Sequence, residues 1–206
     1  DPYHATLLHS YLVSFGLLVA GNKSAMIVDP SGRHGTMGGA KGDGPATKVD
    51  DASRKEIRAF RDDMTLADAR FLEFVREFDS PWSVTMQTIW PNLIVQRELN
   101  TLGVRHIVPN GPNSMIMVWT MFGYEGDSEE MTRRRLRQAN LFGPAGFVSA
   151  DDGEVIEFSQ DGFRQWGEEG ATLCELGGTG TGGTEHMVTE TLIRSMYAYW
   201  KKVMGQ

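Results

Sequence analysis

Three side chains at the start of the sequence are of the types that bind transition metals. Asp1, His4 and His9 fall within nine positions, although the chain has only 5 histidines among its 206 residues. Imidazole nitrogens and carboxylates are common ligands of zinc and iron, and a site built on two histidines needs a further, anionic ligand from elsewhere in the fold. The pattern indicates either a metal site completed by a distant carboxylate or two polar residues on an amphipathic helix.

The spacing of the two histidines restricts how they can meet. On an ideal α-helix, residues five apart differ by about 140° in direction, so His4 and His9 need a widened or bent turn to share a metal. Such irregular turns are common at functional sites. The sequence has no HExxH arrangement with a general-base glutamate, which disfavours a zinc hydrolase.

The candidates for the third ligand are Asp151 and Asp152. They follow a Gly-Pro-Ala-Gly turn at positions 143–146 and stand where a helix is predicted to open. Aspartate is also a favourable helix N-cap, so each carboxylate has a structural alternative. One residue of the pair can cap the helix while the other binds a metal.

The elements that must position these residues follow from hydrophobic periodicity and turn chemistry. A helix is predicted from His4 to about Phe15, and a glycine-rich mobile loop over residues 31–48. Further helices are predicted over 51–78 (with a break near Met64), 128–140, 152–166 and 185–203. Strands are predicted over 23–29, 83–90, 92–96, 104–108 and 114–122, with Asn110-Gly111 as a hairpin turn. Helices at both ends and an antiparallel meander between them give an α+β fold.

Composition excludes several classes of function. The net charge of −7 disfavours nucleic acids and anionic membranes as partners. No apolar run reaches the roughly 18 residues of a membrane-spanning helix. The single cysteine, Cys174, excludes an internal disulfide and a cysteine-ligated iron–sulfur cluster within these residues, as expected for a protein of the reducing cytoplasm. The arginines at 133–137 are expected to form a solvated or subunit-facing surface.

Two motifs resemble one known family. The segment Asp1-Pro-Tyr-His-Ala-Thr-Leu-Leu-His9, together with Gly143-Pro-Ala-Gly-Phe-Val-Ser-Ala-Asp-Asp152, is similar to the catalytic domain of the large (alpha) subunit of Rieske-type aromatic ring-hydroxylating oxygenases. Further likeness lies at residues 100–109, 119–124 and 185–190. The resemblance covers residues 1–206 as one catalytic domain and implies a helix-grip (START-like) fold, an antiparallel sheet wrapped by helices.

The resemblance also implies roles for individual residues. His4, His9 and Asp152 match the facial triad that holds mononuclear Fe(II), with Asp151 as the alternative carboxylate. Asp1 matches the aspartate that links an iron-binding histidine to the Rieske cluster of a neighbouring subunit. Apolar residues of the substrate pocket, or alternatively of the ordinary core, are Ala5, Phe142 and Val148. By their chemistry rather than by the resemblance, Arg33, Arg97 and Arg105 are candidate partners for a substrate carboxylate or, alternatively, simple surface residues.

The family implies an enzyme that inserts oxygen from O2 into an aromatic substrate such as salicylate, anthranilate or terephthalate. Electrons come from NAD(P)H through a reductase, with or without a ferredoxin, and reach the iron from a [2Fe–2S] Rieske cluster. That cluster needs ligands that this sequence lacks, so we expect the chain to be the C-terminal part of a longer polypeptide. The expected assembly is a trimer-based arrangement of alpha subunits, with or without a small beta subunit. The alternative is a metal-free module of the same fold class that binds a hydrophobic ligand.

Overall fold

The strands confirm the predicted α+β architecture. The computed structural model describes residues 4–15, 17, 23–40, 61–166 and 174–206. Within these residues one antiparallel sheet of six strands runs in chain order. The strands are β1 (Ser24–Val28), β2 (Gly35–Gly39), β3 (Val84–Ile89), β4 (Leu93–Glu98), β5 (Thr101–Pro109) and β6 (Met115–Phe122).

Helices pack around this sheet. They comprise a π-helical turn (His4–Leu8), α1 (Tyr11–Ser14), a 3-10 turn (Ala69–Leu72), α2 (Glu129–Phe142), α3 (Phe147–Trp166) and α4 (Thr191–Met204). Helix α4 packs on β1 and β2, whereas α2 packs on β5 and α3. The buried core cluster joins these layers through Leu12, Leu99, Leu141, Phe142 and Val148. No helix among the described residues is both long enough and apolar enough to cross a bilayer.

Local turn chemistry is confirmed at two of the predicted boundaries. The backbone N–H of Asn110 donates to the carbonyl of Ser114 at 3.0 Å, and Gly111 takes the positive φ of 84° that closes the β5–β6 hairpin. The side chain of Ser128 accepts a hydrogen bond from the N–H of Met131 and so caps α2.

The glycine-rich segment 31–48 was predicted to be a loop, and this is wrong for residues 35–39. Residues Gly35–Gly39 form β2, paired on both sides with β1 and β3. A Cβ at Gly38 would lie 2.8 Å from the ring of Trp82. Glycine at this position therefore allows the indole to approach the sheet. Residues 41–48 lie outside the described part of the chain.

The helices predicted over 51–78 are absent from residues 61–78, where the 3-10 turn is the only helical element; residues 51–60 are outside the described range. Buried amide side chains satisfy this backbone instead of an i→i−4 ladder. Asn100 accepts from the N–H of Val75 at 3.0 Å and donates to the carbonyl of Val75 at 2.7 Å. Gln138 donates to the carbonyl of Glu73 at 2.6 Å. These tertiary bonds override the local helical pattern.

Two helix starts differ from those predicted. Helix α3 begins at Phe147, five residues before the expected position, and α4 begins at Thr191 instead of residue 185. The segment before α4 is held by side chains. Glu190 accepts from the N–H of Leu176 at 2.9 Å, and Arg194 donates to the carbonyl of Gly180 at 2.7 Å. The glycine-rich segment 177–183, which precedes α4, is thereby bonded to the start of that helix.

The arginine cluster of α2 is not a uniformly solvated surface, which corrects the sequence-based expectation. Arg135 is only 5% exposed. Its guanidinium contacts the carboxylates of Glu77 and Asp127 and donates to the carbonyl of Asn100. Arg133, two residues earlier, is exposed to solvent and forms an ion pair with Glu129. Arg135 therefore links α2 to the 61–78 segment and to the β4–β5 turn.

We expect Arg135→Ala to lower the free energy of unfolding by about 3 kcal/mol or more, because it leaves the largely buried carboxylates of Glu77 and Asp127 without their counter-charge and the Asn100 carbonyl without this donor. Arg133→Ala is the matched control on the same helix, and loss of its exposed ion pair should cost less than about 1 kcal/mol. Urea unfolding of both variants measures the difference. Equal losses would mean that the buried network contributes nothing beyond a surface pair.

Candidate metal centre

A π-helical turn at the start of the described chain brings the two histidines together. The N–H of His9 donates to the carbonyl of His4 at 3.1 Å, which is the i→i+5 bond of a π-helix. This is the widened turn that the spacing required. The two imidazole rings consequently lie on one side of the turn, with centroids 4.7 Å apart.

The turn between α2 and α3 carries the carboxylate to them. A Cβ at Gly143 would lie 2.3 Å from the carbonyl oxygen of Ala139, and one at Gly146 would lie 2.4 Å from that of Leu141. Only glycine fits such close backbone approaches. Because α3 starts directly after this turn, Asp152 lies in its second turn. The N-cap alternative for Asp152 is therefore wrong.

Asp152 meets both histidines at a single oxygen. Its Oδ1 lies 3.1 Å from Nε2 of His4 and 2.9 Å from Nε2 of His9. One ligand atom from each of the three residues falls within 4.8 Å of the others. The His9 side chain is 5% exposed, whereas that of His4 is 39% exposed. Two imidazoles and one carboxylate form the donor set of non-haem Fe(II) sites, so these residues suit that metal.

The electrostatics of the cluster keep the carboxylate ionised. Partial burial of Asp152 opposes its charged form, but the hydrogen bonds from His4 and His9 outweigh this effect. The pKa of Asp152 consequently lies well below its ordinary value. An ionised oxygen is the state that a cation binds.

The neighbouring aspartate faces the other side of His9. Oδ2 of Asp151 lies 4.0 Å from Nδ1 of His9, and the hydroxyl of Tyr11 lies 3.1 Å from the same nitrogen. Asp151 is not part of the three-residue cluster. Of the two carboxylates that the sequence offered, Asp152 is the one that meets both histidines.

The other histidines are placed elsewhere. His34, which precedes β2, accepts from the N–H of Trp90 through Nδ1 at 3.1 Å. His106 lies on β5 and is within 3.1 Å of the side-chain amide of Asn92. His186 is exposed in the segment before α4.

A cavity of about 250 Å³ adjoins His4 between the sheet and α4. Methionines make up much of its wall, and they come from three strands and from the α4 region: Met26, Met37, Met86, Met187 and Met196. Met26 faces Met37 across β1–β2, and Met37 faces Met86 across β2–β3. Arg33, His34 and Glu190 supply charged or polar groups to the same wall.

The pocket residues suggested by the sequence are distributed differently. Phe142 and Val148 lie in the buried core cluster and do not contribute to the wall of this cavity. Asp1 and the side chain of Ala5 lie outside the described residues. A pocket role for Ala5, Phe142 and Val148 stays a prediction.

The three candidate arginines also have distinct surroundings. Arg33 contributes to the cavity wall. Arg97 donates to the carbonyl of Trp82, and its guanidinium lies 4.9 Å from the Phe78 ring centre. Arg105 lies 4.1 Å above the ring centre of Trp119. Of the three, Arg33 is the one beside His4's cavity.

The methionine wall was missed in the sequence. The available signal was 11 methionines in 206 residues, several of them within strand patterns. Alternation shows which residues of one strand share a face, but only the register of neighbouring strands shows that Met26, Met37 and Met86 form a row.

A buried carboxylic acid, Glu98, lies at the end of β4. Glu98 is 5% exposed. It accepts from the side-chain amide of Gln96 at 2.8 Å, and its Oε2 lies 4.0 Å from the guanidinium of Arg105. Burial raises the pKa of Glu98 to about 7; Arg105 opposes this rise and the charge of Asp152 adds to it.

Comparison with known proteins identifies related sequences. The model of the family described as ring hydroxylating alpha subunit (catalytic domain) matches residues 1–206. The large oxygenase component of salicylate 5-hydroxylase from Ralstonia sp. is 50% identical over 210 residues, which are 100% of this chain and 48% of that protein. Subunit alpha 2 of the terminal oxygenase component of terephthalate 1,2-dioxygenase from Comamonas sp. is 36% identical, over 100% of this chain and 49% of that protein.

The anthranilate 1,2-dioxygenase large subunit of Burkholderia cepacia is 33% identical over 100% of this chain and 48% of its own length. The chain thus spans about half the length of these relatives. Among solved structures, naphthalene 1,2-dioxygenase from Rhodococcus sp. bound to indole has a TM-score of 0.59 at 18% identity, over 99% of this chain and 51% of that one. At this identity the likeness concerns the fold.

We expect the Glu98→Gln variant to gain stability relative to the unmodified protein as the pH rises from about 5 to about 8. The folded-state pKa of Glu98, about 7, is above its unfolded value of 4.5. Folding therefore favours the protonated form, and ionisation costs roughly 3 kcal/mol by pH 8. Urea unfolding of both proteins at several pH values measures this. A stability difference that stays constant with pH would contradict a buried, proton-binding Glu98.

Proposed function

Because this chain belongs to the ring hydroxylating alpha subunit (catalytic domain) family, we propose that it holds a mononuclear Fe(II) through His4, His9 and Asp152 and inserts oxygen from O2 into an aromatic substrate. The observation that carries this proposal is the meeting of the three side chains. Two residues five apart on a π-helical turn and a third residue 143 positions beyond His9 converge within 4.8 Å beside a cavity.

The iron, when bound, supplies an oxidisable centre at which O2 is reduced, since three protein ligands leave one face open. The protein's own contribution is orientation and exclusion of water. His9 and Asp152 hold the buried side of the site, because the His9 side chain is 5% exposed. His4 is the more exposed ligand and borders the cavity. These residues would hold the metal beside the cavity that His4 borders, and the buried His9 would shield it from solvent.

The cavity suits a single aromatic ring. An apolar cavity of roughly 150 Å³ suffices for benzene, and this one measures about 250 Å³. Thioether sulfurs make favourable contacts with ring edges, so the methionine wall favours an aromatic guest. The polar groups at the wall are few, as in ligand pockets that orient an apolar substrate.

We extend the proposal to an aromatic carboxylate as the substrate class. Salicylate, terephthalate and anthranilate, the compounds named for the three relatives, all carry a carboxylate on a benzene ring. Arg33, an exposed residue, lies in the cavity wall, and among the described residues it is the backbone N–H of Arg33, not its side chain, that forms a hydrogen bond. A guanidinium is the side chain best shaped for bidentate pairing with a carboxylate.

The supply of electrons involves parts beyond these residues. The proposal includes a [2Fe–2S] Rieske cluster in an N-terminal part of the polypeptide, reduced by NAD(P)H through a reductase with or without a ferredoxin. Asp1 is the proposed bridge to the cluster of a neighbouring alpha subunit in a trimer-based assembly. Support comes from the alpha-subunit family and from the half-length match to its members.

Anaerobic titration with Fe(II) tests the triad. The full-length protein should bind one iron at this site, and His4→Ala and Asp152→Ala should each weaken binding by at least about 100-fold, since losing a ligand costs more than losing an outer partner. His186→Ala is the control, because this exposed histidine lies outside the cluster. The two irons of a [2Fe–2S] Rieske cluster are distinguished by the visible absorption of that cluster.

Equal mononuclear iron uptake by all four proteins would overturn the assignment of ligands. Binding of an aromatic ligand without any uptake of mononuclear iron would instead support the metal-free module of the same fold class.

Arg33→Gln tests the substrate class. Loss of a charged hydrogen bond should weaken salicylate binding to the iron-loaded protein by about tenfold, while binding of the neutral analogue salicylamide changes little. Calorimetric titration measures both dissociation constants, and Arg164→Gln, an exposed arginine on α3, is the control. The same loss for the two ligands would mean that Arg33 does not recognise the carboxylate.

A further inference from the structure

The side of His9 that faces away from Asp152 is occupied by a phenol and a second carboxylate. Nε2 of His9 points to Asp152 at 2.9 Å, and Nδ1 lies 3.1 Å from the hydroxyl oxygen of Tyr11. Oδ2 of Asp151 lies 4.0 Å from the same nitrogen. Asp152 therefore lies at one nitrogen of the His9 ring, and Tyr11 and Asp151 lie at the other.

Aromatic packing holds Tyr11 in this position. Its ring meets Phe147 edge-on with centroids 4.9 Å apart and Phe15 with centroids 5.5 Å apart. Phe147 is the first residue of α3, the helix that carries both aspartates. The packing that positions the phenol is therefore the same packing that sets α3 against the π-helical turn.

The direction of the hydrogen bonds matters for metal binding. A neutral imidazole that gives its Nε2 lone pair to a metal carries its proton on Nδ1. That Nδ1–H needs an acceptor, and the acceptor selects the tautomer and holds the ring plane. The Tyr11 oxygen accepts this hydrogen bond when its own O–H donates to another group. The nearby carboxylate of Asp151 is the acceptor available for that O–H.

We propose that Tyr11 and Asp151 are positioning residues, which hold His9 in the Nδ1–H tautomer and direct its Nε2 at the iron through the bonds Nδ1–H to Tyr11 Oη and Tyr11 O–H to Asp151. This inference rests on the iron site proposed above. It assigns different tasks to the adjacent aspartates: Asp152 binds the metal, and Asp151 anchors the hydrogen bonds behind a ligand.

The protonation of the phenol supports this order of bonds. A phenol has an ordinary pKa of about 10, so the hydroxyl keeps its proton at neutral pH and is a donor to Asp151. A donor on one side leaves the oxygen lone pairs free for the His9 N–H.

Tyr11→Phe separates positioning from packing, because it keeps the ring against Phe15 and Phe147 and removes only the hydroxyl. In the full-length protein we expect Fe(II) binding at the mononuclear site to weaken by about 10- to 100-fold. The visible bands of Co(II), bound at that site as a spectroscopic probe, should shift as the His9 ring reorients. Tyr197→Phe, a substitution of an exposed tyrosine on α4, should leave the affinity and the bands unchanged.

Asp151→Ala provides an independent test, with Asp161→Ala on the exposed side of α3 as its control. Asp151→Ala should weaken Fe(II) binding in the same direction as Tyr11→Phe. Because both residues act through one hydrogen-bonded series, the double variant should bind Fe(II) about as well as Tyr11→Phe alone. If Tyr11→Phe fails to fold, the shift of the Co(II) bands in Asp151→Ala decides the question.

Two results would overturn the inference. In the first, Tyr11→Phe or Asp151→Ala has unchanged Fe(II) affinity and unchanged Co(II) bands, whereas His4→Ala and Asp152→Ala lose the metal. The iron site then stands, but the positioning role does not. The other is the absence of mononuclear iron from the unmodified protein, which removes the proposed function and the inference together.

Discussion

The hydrogen bond from the His9 N–H to the His4 carbonyl is the constraint on which the candidate site depends. It widens one turn by a single residue, and so turns a spacing that would separate the histidines on an α-helix into one that brings their rings to 4.7 Å. An α-helical turn here would direct one imidazole away from Asp152. The cost of a less regular helix is confined to five residues, His4–Leu8.

The position of α3 beside that turn depends on the 143–146 turn, on α2 and on the β4–β5 turn. Glycines at 143 and 146 let the chain reverse tightly after α2, and α2 is itself secured by buried polar groups. Asn100 donates its backbone N–H to Gln138 at 2.9 Å, while Arg135 reaches the Asn100 carbonyl from the same helix. Leu99, the residue before Asn100, has a φ of 59°, which is unusual for a leucine. Its side chain packs in the core cluster. The β4–β5 turn thus connects the sheet to the helices that carry the carboxylate.

Sequence reasoning succeeded where local chemistry decides the structure and failed where tertiary contacts do. The hairpin at Asn110-Gly111, the start of a helix near Ser128 and the need for a widened turn at His4 all follow from short-range rules. Residues 61–78 have a helical pattern, yet the backbone groups of Val75 and Glu73 bond to the side chains of Asn100 and Gln138, which lie far along the chain. Strand β2 was not predicted, because its glycines indicate a loop. The Trp82 ring that packs on Gly38 is a tertiary contact, which the sequence alone does not show. Turn chemistry narrowed the carboxylate to two adjacent residues and the family resemblance favoured Asp152, whose Oδ1 lies within 3.1 Å of both histidines.

Under the proposed function, the methionine wall has a chemical consequence. Thioethers are among the side chains most readily oxidised, and each sulfoxide converts a flexible apolar group into a polar one. Under the proposed function, O2 reduced without a substrate in place would release oxidants beside Met26, Met37 and Met86. Damage would accumulate first at the surface that recognises the ring, so the catalyst would lose its affinity for substrate before it lost its metal. Under that function, the methionine side chains stay unoxidised only if O2 is reduced when a substrate is bound.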